Sequence, residues 1–399
     1  MHQDITDGVI RARPGQKSGL AHAALALGGF SIGTAEFATM SFLPAFTAEL
    51  GVEAPAGGHV VSAYALGVVL GAPVLAMFGA RLERRRLLAL LLGWFALGNM
   101  LSAFAPSLGS LVALRFLTAI PHGAYLGTAV LVAADMVPGS SRAHAVGRVL
   151  MGLALATTVG VPLASLLSQW LGWRAGFGAI GALTLLAMTS LLRVVPTQMP
   201  AASASARREL GALRRPQVWL ALGMGAVGFG GLFCVYTYLA STLSEATQAT
   251  DNAVPIILAV FGAGIACGNV VAPYLARHGV MFAAGVLLTW SAAALALYPL
   301  SIYSPWSIGL AVFAIGVGGG LGAVLQMRLM DVAGDAQNLA ASLNHVAFNI
   351  ANALGPWLGG LAIAAGLGWG STGWVGCALA LGGLAVWLLA AIAGRQRGG

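Results

Sequence analysis

Glu36 and Arg115 are the two residues of this chain whose setting calls for a chemical explanation. Glu36 stands in FSIGTAEFATMSFLP and Arg115 in ALRFLTAIPHGAYLG, each inside a long apolar run. Asp135 and Asp331 sit at the ends of such runs, so Glu36 is the one acid, and Arg115 the one base, well inside. Apolar surroundings favour a neutral carboxyl, whereas a neighbouring guanidinium favours a charged one. A changing separation between the two would therefore couple proton uptake and release at Glu36 to a change of shape. The competing reading is a fixed ion pair that only holds two helices together.

Two further constellations lie inside apolar runs. After Arg115 come Thr118, His122 and Tyr125, at spacings that share one helical face, and Pro121 can free a backbone carbonyl beside them. His122 either binds a solute and titrates near neutral pH, or is a neutral histidine bonded to an adjacent helix. His345, Asn349 and Asn352 recur at i, i+4 and i+7 in SLNHVAFNIANALGPWLGG, one turn before Pro356. This polar stripe either lines a cavity and hydrogen-bonds a solute, or acts as glue between helices. Tyr236, Tyr238, Asn269 and Gln326 are candidates to join it from other segments. The resulting set is neutral, polar and aromatic. It suits a sugar-like solute or a modestly polar drug, because charged cargo is met by opposite charge.

Catalytic alternatives find little support. There is no His/Asp/Glu cluster with metal-ligand spacing, no glycine loop with a phosphate-binding lysine and no serine nucleophile elbow. No enzyme activity, cofactor or metal is expected. Cys234, Cys267 and Cys377 all fall in apolar segments and read as small buried hydrophobes. A channel would need rings of repeated polar groups from symmetric subunits, and these polar residues are scattered.

The elements that must position these residues are membrane helices. Hydrophobic residues make up 58% of the 399, and charged residues only 8%. Soluble domains carry about 25% charged residues, so a soluble reading fails. A bilayer core about 30 Å thick takes roughly 20 apolar residues per helix. Twelve runs qualify: 20–47, 57–80, 87–105, 109–136, 145–169, 173–194, 217–243, 252–276, 280–300, 305–330, 338–365 and 371–393. At about 1.5 Å per residue, Glu36 is roughly 15–20 Å and Arg115 roughly 10–15 Å deep from one face. The two can meet if spans one and four are neighbours.

Charge orients the spans. All Lys and Arg except Arg115 and Arg174 fall at alternate junctions: Arg11, Arg13, Lys17, Arg81, Arg84, Arg85, Arg86, Arg142, Arg148, Arg193, Arg207, Arg208, Arg214, Arg215, Arg277, Arg328, Arg395 and Arg397. The opposite junctions carry Glu49, Glu53, Glu245 and Asp251. Positive residues stay inside, which puts both termini in the cytoplasm. The net charge of +8 is thus a matter of topology and anionic lipid, not of nucleic acid. No cleavable signal peptide is expected. The polar stretch 195–216 reads as a cytoplasmic linker between an N-terminal bundle, 1–194, and a C-terminal bundle, 217–399. Six plus six spans is the pattern of a carrier with two parallel halves and a site at their interface. The absence of an Asn-x-Ser/Thr sequon points to a bacterial inner membrane.

Four stretches carry a family resemblance: GTAEFATMSFLPAFTAELGV at 33–52, AGGHVVSAYALGVVLGAPVLAMFGARLERRR at 56–86, RFLTAIPHGAYLGTA at 115–129 and span eleven. On these the chain resembles the major facilitator superfamily, in its drug:proton antiporter branch, and within that the arabinose-efflux-permease-like proteins. The resemblance covers nearly the whole length. It implies twelve helices in two parallel six-helix repeats, with Glu36 and Arg115 coupling protons. It implies gating at the loop between spans two and three, where Gly79, Glu83 and Arg84 match the family motif, with Glu for the usual Asp and Arg86 for its second glycine. It implies gating also at Gly152, Gly160 and Pro162 in GLALATTVGVPLAS, a weakened form of the antiporter motif of span five, by close packing against the other half; simple helix-packing positions are the other reading of these residues. The expected function is proton-coupled efflux of a small organic solute by alternating access. Substrate, protons and membrane lipid are the expected partners, with a single chain as the working unit. Proton-coupled uptake is the alternative.

Overall fold

The computed structural model describes residues 14–79, 82–138, 141–198, 214–250, 252–333 and 337–395. Arg11, Arg13, Arg81, Arg207, Arg208, Asp251, Arg397 and most of the expected linker lie outside the described residues, as does the side chain of Lys17. The described chain is an all-α membrane protein. Eleven of its helices are long and apolar enough to cross a bilayer. Arg84–Ser102 forms a twelfth pass, whose first three residues are arginines.

In chain order, span one is Pro14–Ser41, extended by Leu43–Leu50. Spans two, three and four are Ala54–Gly79, Arg84–Ser102 and Leu108–Asp135. Span five runs Arg142–Leu155, Ala156–Gly160 and Val161–Leu171, the middle piece being π-helical. Span six is Trp173–Val194. Span seven is two helices, Pro216–Gly228 and Gly230–Glu245. Spans eight and nine are Ala253–Ala276 and Val280–Ser301. Span ten runs Pro305–Val317, Gly318–Gly320 and Leu321–Ala333. Spans eleven and twelve are Gln337–Ala364 and Ser371–Arg395.

Four of these passes are interrupted where hydropathy alone implies one straight helix. Span one bends at Phe42, just before Pro44, which removes a backbone donor. Spans seven and ten break at glycine-rich points, where helix propensity is lowest. The glycines also permit close approach. A side chain at Gly320 would collide with the Gly268 carbonyl, so spans eight and ten touch backbone to backbone.

The large apolar side chains that face outward, such as Leu90, Leu310, Trp306 and Leu388, form a coat suited to lipid. Inside, span two packs along spans four and eleven, span one on five and six, and span eight on span five. The pairs two–eleven and eight–five join the first six spans to the last six. They exchange when six is added to or subtracted from the span number, as two parallel repeats require. The junctions define two ends of the bundle. One, with Arg84, Arg142 and Arg215, is the basic end. The other, with Glu49, Glu53 and Glu245, is the acidic end.

Candidate functional site

Glu36 lies in the middle of span one and is 3% exposed. Its Oε1 accepts a hydrogen bond from Asn352 Nδ2 of span eleven at 2.9 Å. This bond links the first six spans to the last six. Ser62 Oγ of span two makes a second such link, donating to the Ala353 carbonyl at 2.9 Å. Both lie at the level of Glu36 or toward the acidic end. Beyond them the two sets close further. A side chain at Gly58 would collide with the Tyr238 hydroxyl, and one at Gly360 would approach the Pro55 carbonyl.

Arg115 is fully buried in span four, and among the described residues no ion pair joins it to Glu36. Its guanidinium instead donates to the Ala35 carbonyl at 3.0 Å and to Asn99 Oδ1 at 3.1 Å. It also lies 4.2 Å over the Tyr64 ring and 5.2 Å from the Phe177 ring. Spans one and four are thus neighbours, and Arg115 holds the residue before Glu36 by its backbone. A fixed Glu36–Arg115 bridge is therefore not the arrangement found. A buried cation held only by neutral acceptors is costly.

The polar chain continues from Arg115 to the other sequence candidates. Tyr64 stacks under Arg115 and shares a 3.0 Å hydrogen bond with His122 Nδ1. His122 lies on span four, which adjoins span eleven, the span that carries His345. Asn349 Nδ2 donates to the His345 carbonyl, while Asn349 Oδ1 and Asn352 Oδ1 are buried without partners. Tyr236 joins through an aromatic cluster. Its ring stacks on Phe261 at 4.2 Å and meets Phe37 edge-on at 5.8 Å, and its hydroxyl is buried without a partner. Phe233 and Phe348, 4.7 Å apart, complete the cluster beside Phe37.

Other candidates are placed elsewhere. Tyr125 is buried between spans one and four, with its hydroxyl donating to the Leu25 carbonyl at 2.9 Å. Thr118 bonds back to the Leu114 carbonyl. Tyr238 donates to the Pro356 carbonyl at 2.8 Å. Asn269 is exposed, and Gln326 is half-buried in span ten and makes none of these contacts.

At the basic end, Gly79 closes span two and Glu83 lies within 3.4 Å of Arg86. Arg84 pairs with Asp135 at 2.6 Å, and Asp135 also pairs with Arg142 at 3.1 Å. Asp135 thereby ties the loop to the end of span four and the start of span five. In span five the glycines do not face the last six spans. A side chain at Gly152 would strike the Ala26 carbonyl, and one at Gly160 the Thr34 hydroxyl, both on span one. Residues 152, 156 and 160 share that face, so the contact with the last six spans falls to the backbone of Thr157 and Thr158, against Gly262 of span eight. Pro162 lies at the start of Val161–Leu171, where its missing donor helps the π-turn form.

Residues 25–337 match the family model of the Major Facilitator Superfamily. The chain belongs to the Major Facilitator Superfamily. It is a membrane transporter and not an enzyme. Relatives of this superfamily member include the inner membrane transport protein YdhP of Escherichia coli K12, 40% identical over 350 residues, 87% of this chain and 89% of YdhP. A chloramphenicol resistance protein of Streptomyces lividans is 33% identical, covering 83% of this chain and 86% of its own. Among solved structures, a bacterial homolog of the human lysosomal transporter Spinster, inward-facing and occupied, superposes with a TM-score of 0.70 at 18% identity, covering 95% of this chain and 97% of its own. That likeness is one of fold.

The sequence singled out Glu36, Arg115 and Asn352 by burial of polar groups. It missed Tyr64, Asn99 and the phenylalanines around Tyr236, whose only signal was position opposite Arg115 and Glu36 in space.

Proposed function

We propose that the protein is a proton-coupled antiporter that exports a small organic solute from the cytoplasm across the bacterial inner membrane. The basic end faces the cytoplasm by the positive-inside rule, with both termini there, and the lipid-facing coat surrounds a single working chain. The bundles 1–194 and 217–399 rock about the 195–216 linker.

The observation that carries the reading is the Glu36–Asn352 hydrogen bond across the two bundles. Asn352 Oδ1 is buried and lacks a donor. A protonated Glu36 supplies one, so the neutral acid forms a two-bond pair with the amide, whereas a carboxylate can only accept. Proton loading at Glu36 therefore favours the arrangement closed at the acidic end. Loss of that proton toward the cytoplasm leaves a carboxylate beside Arg115, which loosens the link to span eleven. Cargo then occupies the interface, meeting Tyr236, Asn349, His345 and His122. The aromatic cluster and neutral polar groups favour an uncharged, partly aromatic or sugar-like cargo. Arg84, Glu83 and Gly79 at the loop, and Gly152, Gly160 and Pro162 in span five, keep the moving helices in register.

Purified protein in liposomes under an imposed pH gradient tests this, with sugars, nucleosides and amphenicol-type drugs as cargo. The reading expects at least one of these classes to move against its own gradient when the pH gradient is imposed. Cargo movement driven by ATP without a gradient, or cargo moving in the same direction as protons, would overturn it.

A further inference from the structure

A second concavity lies at the acidic end, between the two six-span sets and apart from Glu36. It is a cavity of about 420 Å³, within the range of small-molecule sites. Thr47 and Glu53 line it from the first six spans, and Ser241, Glu245, Ile363 and Trp369 from the last six. Neither Glu53 nor Glu245 forms an ion pair among the described residues. Arg174, the one arginine at this end among the described residues, is held by Glu49 at 2.9 Å and by the carbonyls of Ala103 and Ala105. Ser241 is 3% exposed, and its hydroxyl has no hydrogen-bond partner.

We propose that this vestibule binds organic ammonium ions. Two uncompensated carboxylates in a concave mouth concentrate negative potential, which selects a cation. Trp369 supplies an aromatic group to the lining for the ammonium, and Ile363 an apolar one for its substituent. Ser241 adds a buried, unpartnered hydroxyl to the same lining. This ligand class differs from the neutral cargo of the buried site.

The walls come from both sets of spans, so the complete site exists only while the acidic end is closed. A ligand that binds one arrangement and not the other shifts the population toward the one it binds. An ammonium ion arriving from outside therefore holds the carrier closed at that end and slows turnover, without competing for the buried cargo site.

The test is equilibrium binding of benzyltrimethylammonium to the full chain in zwitterionic nanodiscs at low salt, with empty nanodiscs subtracted. Saturable binding with a Kd below about 1 mM is expected. The neutral probe N-benzylacetamide and the double variant Glu53→Gln/Glu245→Gln should each show affinity at least about tenfold lower. Ser241→Ala should weaken binding about threefold, and Glu36→Gln, which favours closure at the acidic end, should bind at least as tightly as wild type. Equal affinity in wild type and the double variant, or no saturable binding to wild type, would overturn the proposal. So would loss of binding in Glu36→Gln with retention in the double variant, since that pattern places the probe in the buried site.

Discussion

Asn352 Nδ2 donates to Glu36 Oε1 over 2.9 Å, joining span eleven to span one across 316 positions of sequence. The bond is buried on both sides, with Asn352 fully enclosed and Glu36 3% exposed. Asn352→Ala removes the donor and leaves a buried carboxyl without it, which costs about 1–3 kcal/mol. The balance between the two arrangements should then move about 5- to 150-fold away from closure at the acidic end. Cysteine accessibility reads this directly. A cysteine in place of Ser241, which is 3% exposed between the two halves and has no hydrogen bond to lose, should label faster in the Asn352→Ala background.

Arg115 is held by geometry as much as by charge. Its guanidinium serves two acceptors at once and lies over a ring, which a lysine ammonium cannot reproduce. Arg115→Lys should therefore lower transport by about tenfold or more while the protein still inserts and purifies as a monodisperse species. Tyr64→Phe keeps the ring under Arg115 and removes only the hydroxyl bonded to His122, so its effect should stay within about threefold. Initial rates of cargo uptake into inside-out vesicles compare the three proteins.

The glycines of span five make a stability prediction. A methyl group at Gly152 meets the Ala26 backbone, which cannot swing aside as a side chain can. Gly152→Ala should destabilise by about 1–3 kcal/mol. Nothing lies within 4 Å of a methyl at Gly109, so Gly109→Ala is the matched control and should be neutral. Thermal unfolding in detergent separates the two variants.

Asp135 holds two arginines, yet its side chain is 38% exposed. Exposed ion pairs contribute little to stability, so Asp135→Asn should change it by less than about 1 kcal/mol. Its effect should instead fall on rate, because the loop, span four and span five are no longer tied. The expected signature is slower transport at unchanged melting temperature, with wild type approaching the variant as salt screens the pairs.

Much of this was legible in the sequence because a membrane imposes it. The spans follow from hydropathy and length. Glu36, Arg115 and the Asn349–Asn352 stripe stood out because polar groups in hydrocarbon need a reason. Their partners were not legible. Depth along the helices brought Glu36 and Arg115 to similar levels, where the two could meet, but depth says nothing of rotation about the helix axis. That rotation turns the guanidinium to the Ala35 carbonyl and Asn99, and turns Glu36 toward Asn352. The same lack of rotational information misdirected the span-five glycines. Their motif suggested packing on the opposite half, whereas their shared face meets span one.

The central claim is that protonation of Glu36 drives closure at the acidic end. Its most direct test is transport by Glu36→Gln in liposomes, with and without an imposed pH gradient. Glutamine keeps the carbonyl that accepts from Asn352, adds a donor for Asn352 Oδ1 and cannot release a proton. The account predicts that gradient-driven accumulation disappears in this variant and that its cargo binding weakens, because the amide pair with Asn352 does not loosen. Accumulation that follows the pH gradient as steeply as in the wild type would contradict it.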